Sequence, residues 1–484
     1  MEVTLVKPLM GAYRKVELSM SMLYLATHLH RNGHKVRIVD CQLEPSPEKK
    51  LKSLVRTSGC IGFSVITSQI EHALRLSDFV KELDAEVPVV WGGIHPTIHP
   101  EQTVEDASVD YAVRGEGEQT FVDLCRHLEG KLELSKIPGL VYRKGGKTII
   151  NPERRFMDLN DMSPPEWGLF EMERYVDDFK VAGKNYGRSL PVHSGRGCSY
   201  RCAFCISAKR WRPLSASKML SEVSFLKEKY NLEHIDFIDE NFFIDRKRVK
   251  DFCEGLLKGG IDVTWFASCR ANYFNDTHVN DEMLSLVRRA GCETIGMGIE
   301  SGSQRILDLI KKDIRVEDVG RAVRACRKYG IQPICSFMIG LPGEKREDMD
   351  KTLDMIAMIK RLDPRALVIG PQVFRPYPGC ELYEAVKGTF RAPETLREWV
   401  KLDPIGGYTT AERLTWTEDP DYVANVGFFV DRANYTPEQE WMKIVEFPLK
   451  KMAQFRLRHK MFKLPFERAV FQLGQRLYYG VRQG

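Results

Sequence analysis

Three cysteines within eight residues constrain this 484-residue chain more than any other feature. Cys198, Cys202 and Cys205 stand at C-x3-C-x2-C spacing behind Gly195-Arg196-Gly197. Thiolates are soft ligands that suit iron–sulfur clusters, zinc or copper(I). A four-iron cluster normally takes four thiolates. No obvious fourth stands beside these three, so one iron would be left for a non-protein ligand. Zinc is the competing metal, but structural zinc closes with four ligands. Neither a second C-x2-C pair nor an H-x3–5-H follows. Three incidental loop cysteines are the remaining reading, which the spacing and the flanking glycines disfavour. Arg196, Tyr200 and Phe204 would shield a cluster here and tune its potential.

After this loop, helical and strand patterns alternate. The strands 235–238, 263–267, 294–299, 332–339 and 366–374 are apolar and end in polar or glycine-rich residues. With 190–193 leading into the cysteine loop they make six βα units, a partial (β/α)6 barrel. Active-site residues of such barrels collect at the carboxyl ends of strands. Asp239, Ser268, Arg270, Glu300, Gly340 and Glu344 all fall there.

The cysteine spacing, with an aromatic residue before the third cysteine, resembles the signature of the radical S-adenosylmethionine (SAM) superfamily. The resemblance implies that Cys198, Cys202 and Cys205 hold a [4Fe-4S] cluster and that SAM chelates its open iron. Reduction would then cleave SAM to a 5'-deoxyadenosyl radical. It also implies SAM-contacting roles: Asp239 toward the methionyl amino group, and Ser268 and Arg270 toward the carboxylate or ribose. Glu300, in a Gly298-to-Ser303 phrase similar to the family's, would face the ribose or methionyl end. Gly340 and Glu344 resemble the adenine-side turn. The alternative is that these acids and Arg270 form ion pairs capping the barrel.

Upstream, strands 3–6, 36–39, 61–66, 87–91 and 110–113 alternate with helical faces such as Met22, Leu23, Ala26 and Leu29. This pattern means a doubly wound, Rossmann-like parallel sheet. Ligands of such sheets lie beyond the carboxyl ends of strands. Ser64, Thr67, Gly92, Gly93, Gly115 and Gly117 occupy those turns. Glycine lets backbone approach a bulky ligand, though it also simply makes tight turns. The phrases around Asn32-Gly33-His34, Gly62-Phe63-Ser64, Trp91-Gly92-Gly93 and Arg114-Gly115-Glu116-Gly117-Glu118 resemble the cobalamin-binding domain found ahead of many radical SAM cores. That domain often carries D-x-H-x-x-G, yet Asp40-Cys41-Gln42-Leu43-Glu44-Pro45 has no histidine. Cobalamin is therefore expected without a protein histidine on cobalt. His95 and His99, just past Gly93, are read first as solvated or capping residues and second as cofactor contacts.

Hydrophobic content of 43% and charged content of 29% are ordinary for a globular protein. The other nine of the 12 cysteines are scattered singly, which fits reduced thiols rather than a disulfide framework. No signal peptide and no spanning helix are expected. Positive charge gathers at the end. Residues 443–484 hold ten basic residues against Glu446 and Glu467, within a chain total of +6. Phe455, Phe462, Phe466, Phe471, Tyr478 and Tyr479 are interleaved with them. Such a tail either packs on the barrel or lies on an anionic membrane surface. Trp399, Trp416, Phe428, Phe429 and Trp441 could wall a substrate cavity, or simply be core.

The expected layout is a cobalamin-binding domain over 1–135, a connector over 136–186 and a radical SAM core over 187–385. A mostly helical substrate or interaction region follows over 386–484. The expected activity is methylation of an unactivated carbon or phosphorus of a small-molecule or lipid-like substrate, with methylcobalamin as donor. A radical cyclase, oxidase or rearrangement enzyme is the alternative, and a cobalamin or SAM sensor is the non-enzyme rival. The expected electron donor is a flavodoxin or ferredoxin, no nucleic-acid partner is expected, and the expected location is cytoplasmic, with peripheral contact at the inner membrane surface as the alternative to a tail packed on the barrel.

Overall fold

Two seven-stranded sheets organise the molecule. A computed structural model describes residues 1–10, 16–181, 184–206, 210–402, 411–434, 440–463 and 465–468. The first sheet contains β1 (Glu2–Lys7), β2 (Lys35–Asp40), β3 (Cys60–Ser64), β4 (Val89–Gly92), β5 (Tyr111–Val113), β6 (Leu140–Lys144) and β7 (Lys147–Ile150). Their order is β2-β1-β3-β4-β5-β6-β7. The first five run parallel and the last two antiparallel. Order 2-1-3-4-5 puts the switch point between β1 and β3, where such sheets open a crevice. The four central residues of β1 are buried without alternation, because helices cover both faces.

The hairpin of β6 and β7, which turns at Gly145-Gly146 inside the expected connector, pairs onto β5 and so extends the first sheet beyond residue 135. Gly145 and Gly146 both have positive φ, as a two-residue hairpin turn demands.

The second sheet contains β8 (Asp177–Val181), β9 (Lys184–Val192), β12 (His234–Phe237), β13 (Thr264–Cys269), β14 (Cys292–Glu300), β15 (Gln332–Ile339) and β16 (Leu367–Val373). The two-residue strands β10 (Gly195–Arg196) and β11 (Arg212–Pro213) pair with each other across the cysteine loop. The order is β16-β15-β14-β13-β12-β9-β8, with six parallel strands and β8 antiparallel at the edge. This is the partial six-unit barrel.

Burial along β13 alternates, as a strand's two-residue period requires. Trp265, Ala267 and Cys269 join the core under the helices, whereas Phe266 and Ser268 fall on the other, concave face. Phe237, Phe242, Phe252 and Trp265 interlock beneath the sheet, and Trp265 Nε1 donates to the Ala290 carbonyl at 2.8 Å. Each such buried aromatic contributes roughly 1.5–3 kcal/mol.

The C-terminal part is mostly helical, with helices Pro420–Asn434 and Glu440–His459. Phe428 and Phe429 are core there, packed with Phe462. The Trp441 side chain and the tail residues Phe471, Tyr478 and Tyr479 lie outside the described residues. Among the described residues, no helix is long and apolar enough to cross a membrane.

Candidate active site at the facing sheet edges

Asp239, at the end of β12, anchors the start of the cysteine loop. It accepts from Ser194 N at 2.7 Å and from Ser194 Oγ at 2.5 Å. Arg248 backs the same serine, donating to its carbonyl at 2.8 Å and its hydroxyl at 3.0 Å. Burial pushes the Asp239 carboxyl up to about 6, against the pull of Arg248.

The cysteine loop then crosses the barrel mouth. Ala203 N donates to the Ile310 carbonyl at 2.9 Å, and Cys205 N to the Cys202 carbonyl at 3.1 Å. Cys202 is buried, and Cys198 and Cys205 are half-buried. Burial raises the Cys198 thiol, and the charges of Cys202 and Cys205 act in the same direction. Among the described residues no three His, Cys, Asp or Glu side chains converge on a single ion. A lone zinc would hold its thiolates within about 4 Å of one another. A cluster gives each thiolate its own iron, and Cys202 and Cys205 stand close enough to Cys198 for their charges to act on its thiol.

Arg270 follows β13 and ties this loop to the barrel. Its guanidinium lies 3.5 Å from the Tyr200 ring centroid and 3.9 Å from Cys202 Sγ, and it donates to the Lys312 carbonyl. Lys312 Nζ in turn donates to Glu300 Oε1 at 2.8 Å. Both side chains are at most a tenth exposed. Glu300 ends β14 at φ +70, a left-handed conformation uncommon outside glycine. A side chain at Gly298 would meet Lys312 Nζ at 2.8 Å, so glycine there leaves room for the pair. Arg270 thus links Cys202 to the Lys312 backbone, while the Lys312 ammonium faces Glu300, with Phe204 5.5 Å away. Lys312 itself belongs to no local motif that would mark it in the sequence.

Ser268 lies on the concave face beside Gly296. Glu344 is 2% exposed and accepts from Leu341 N at 3.1 Å. Burial pushes its carboxyl up to about 8. The Gly340 carbonyl accepts from Trp416 Nε1 at 2.8 Å, and a side chain at Gly340 would run into Val423. Trp416 and the helix Pro420–Asn434 therefore roof this turn.

The first sheet presents its own carboxyl edge. Beside Gly115 a side chain would meet nothing within 4 Å, and beside Gly92 only Val113 at 3.8 Å, so both leave open space. Ile66 and Ile94 are exposed along the same edge. An apolar, glycine-walled ledge fits the broad face of a corrin ring. Ser64 lies on this edge, paired in register with Gly92. Gly93 has a different role. A side chain there would strike the Val65 carbonyl at 2.7 Å, so it serves backbone packing. Gly117 precedes the helix Glu118–Leu128. Thr67 Oγ lies 3.3 Å from His95 Nδ1. His95 packs edge-on and His99 tilted against Trp399, at centroid distances of 5.3 Å and 4.9 Å. Burial pushes His95 down to about 3 and also lowers His99. Trp399 is thus a strap on the first domain. Asp40 accepts from Tyr175 Oη at 2.9 Å.

The two edges face each other. A side chain at Gly379, after β16, would meet Ile98 of the first domain at 3.1 Å and Ile206 of the cysteine loop at 3.4 Å. Arg196 turns away from the cysteines, and its Nη2 lies 2.8 Å from Glu118. Arg212 reaches Glu116 at 3.0 Å. The only sequence hint of this clamp was the pair of acids in Arg114-Gly115-Glu116-Gly117-Glu118.

Comparison with known proteins agrees with this arrangement. Residues 192–356 match the radical SAM superfamily model, and residues 6–125 match the B12 binding domain model. An uncharacterized methyltransferase, PH0819, from Pyrococcus horikoshii is 32% identical over 80% of this chain and 82% of its own. The anaerobic magnesium-protoporphyrin IX monomethyl ester cyclase of Rubrivivax gelatinosus is 29% identical over 69% of this chain, which spans 60% of that enzyme. The solved structure of the cobalamin-dependent SAM radical enzyme OxsB, with aqua-cobalamin and SAM bound, superposes with a TM-score of 0.74. It does so at 19% identity, covering 99% of this chain and 75% of that one. This chain belongs to the radical SAM superfamily, with a B12 binding domain ahead of its radical SAM domain.

Proposed function

We propose that this protein is a cobalamin-dependent methyltransferase acting on an unactivated carbon or phosphorus centre of a small-molecule or lipid-like substrate. The observation that carries the reading is the meeting of two carboxyl edges at Gly379, Ile98 and Ile206. Substrate held there would lie within reach of both domains. When bound, the cluster and SAM supply a hydrogen-abstracting radical and cobalamin supplies the methyl group.

The chain's own residues would bind, orient and keep out water. Cys198, Cys202 and Cys205 would hold the cluster. Arg270 and Lys312 would receive the SAM carboxylate, and Glu300 its ammonium or ribose hydroxyls. Ser268 would add a hydroxyl on the same face. Glu344 would hold the Gly340–Glu344 turn in shape beside adenine. Ser64, Gly92 and Gly115 would cradle the corrin. Residues 1–135 would then serve cobalamin and 187–385 the radical step, with 136–186 joining them and 386–484 closing the substrate end.

Anaerobic protein reconstituted with iron, sulfide and hydroxocobalamin should form S-adenosylhomocysteine from SAM under dithionite. Cobalamin-free protein should form only 5'-deoxyadenosine. Cobalamin-loaded protein that forms no S-adenosylhomocysteine would overturn the reading. A radical cyclase without methyl transfer is then the second reading, supported by the similarity to the Rubrivivax enzyme.

A flavodoxin or ferredoxin would supply the electron. We place the protein in the cytoplasm, and exposed Phe447, Phe455 and Phe466 beside Lys451, Arg458 and Lys463 support peripheral membrane contact.

A further inference from the structure

A cavity of about 390 Å3 opens outside the barrel mouth. Its walls come from the helix Met20–Arg31, the connector around 159–167, His193 and Arg196 ahead of the cysteines, and Leu214 with the helix Ala216–Tyr230 that follows it. Tyr24, Leu159, Pro164, Trp167, Leu214 and Phe225 make it largely apolar. Two of the side chains that line it carry an unmatched polar atom. Glu222 is 9% exposed, and its Oε1 is buried with no hydrogen-bond partner among the described residues. His193 Nδ1 is buried and likewise unpartnered. A buried polar group without a partner costs roughly 1–3 kcal/mol, so native proteins rarely leave one unmatched.

The charged groups at the rim are already committed. Arg196 binds Glu118 and Glu116. Lys218 Nζ donates to the carbonyls of Asn160 and Met162. Burial pushes the Glu222 carboxyl up to about 8 and His193 down to about 4, so both are uncharged at neutral pH. The cavity therefore offers apolar area and a carboxyl O–H donor, with no free charge. That chemistry selects a neutral ligand.

We propose that this cavity is a binding site for an uncharged, largely apolar molecule carrying a carbonyl acceptor, with Glu222 as the donor. The site goes beyond the methyl-transfer reading and does not depend on it. Ligand there would touch Tyr24 of the first domain and Glu222 of the second at once. It would also touch Arg196, on the loop that carries the cysteines.

The test uses the full chain and the uncharged naphthalene ketone Prodan, whose emission reports polarity and hydrogen bonding at its carbonyl. Titration should saturate at one site per chain with a blue-shifted emission. Glu222→Leu removes the donor and should weaken binding about tenfold, equivalent to about 1.4 kcal/mol. Glu222→Gln keeps a donor and should stay within about threefold of the parent. Ser221→Trp at the rim should block binding while the melting temperature holds. The proposal is overturned by any of three results: no saturable binding, as for a cavity filled by water; binding indifferent to both Glu222→Leu and Ser221→Trp; or displacement of Prodan by hydroxocobalamin, which would make the cavity part of the corrin site.

Discussion

Arg196 and Glu118 join the cysteine loop to the first domain, with Nη2 of one 2.8 Å from Oε1 of the other and the guanidinium 4.7 Å from the Tyr24 ring centroid. Their side chains are 15% and 6% exposed. Burial opposes the charge on Arg196, but Glu118 and Glu116 outweigh it and hold the guanidinium above its usual value. The pair lies where the two sheets' carboxyl edges approach, and with Arg212 and Glu116 it ties them together.

Removing one member of a buried pair strands the other. Arg196→Leu should therefore cost about 3 kcal/mol, and Glu118→Gln less, because an amide still accepts from guanidinium. Urea unfolding followed by tryptophan fluorescence measures this. For Arg196→Leu the single transition should broaden or split as the domains uncouple, and an unchanged midpoint would contradict the clamp.

Each of Cys198→Ala, Cys202→Ala and Cys205→Ala should abolish the brown cluster chromophore and 5'-deoxyadenosine formation after anaerobic reconstitution. Cys380→Ala should keep both, because its thiol donates to the Tyr377 carbonyl at 3.3 Å. Iron and sulfide content per chain provides the measurement.

Lys312→Met leaves Glu300 buried without its cation. SAM affinity should fall by about tenfold or more, as for loss of a charge-assisted bond. Lys312→Arg should recover part of it. Equilibrium dialysis with labelled SAM reads the effect, and cluster absorbance should not move. Undiminished affinity in Lys312→Met would remove Lys312 from the SAM site.

Glu344 sets a pH dependence. Its folded value of about 8 stands above the ordinary 4.5 because of burial. The folded state then binds the proton that the unfolded state has lost. The stability it contributes is present below about 4.5 and is lost as pH rises through about 8. Between pH 6 and pH 8 this amounts to about 2 kcal/mol. Glu344→Gln, which can still accept from Leu341 N, should flatten that limb in chemical denaturation at several pH values.

Much of the architecture was legible in the residues. Strand 332–339 has the full extent its residues predict, and Met22, Leu23, Ala26 and Leu29 form the buried face of the first helix. Boundaries slipped where tertiary pairing decided them. β13 runs to Cys269 because its partner β14 continues alongside it. The hairpin 140–150 looked like connector because nothing local says which sheet a hairpin will join; its pairing with β5 decides that.

By itself, the sequence determined the two alternating α/β halves and the soft-ligand loop early in the second, since periodicity and ligand spacing are local properties. The tertiary structure alone decided which polar groups meet. Asp239 went to Ser194 beneath the loop, and Glu300 went to Lys312 above it. Arg196 left the cysteines for Glu118, and Trp399 crossed to His95 and His99. Such pairings depend on where whole elements dock, and a buried charge takes whichever partner that docking brings within reach.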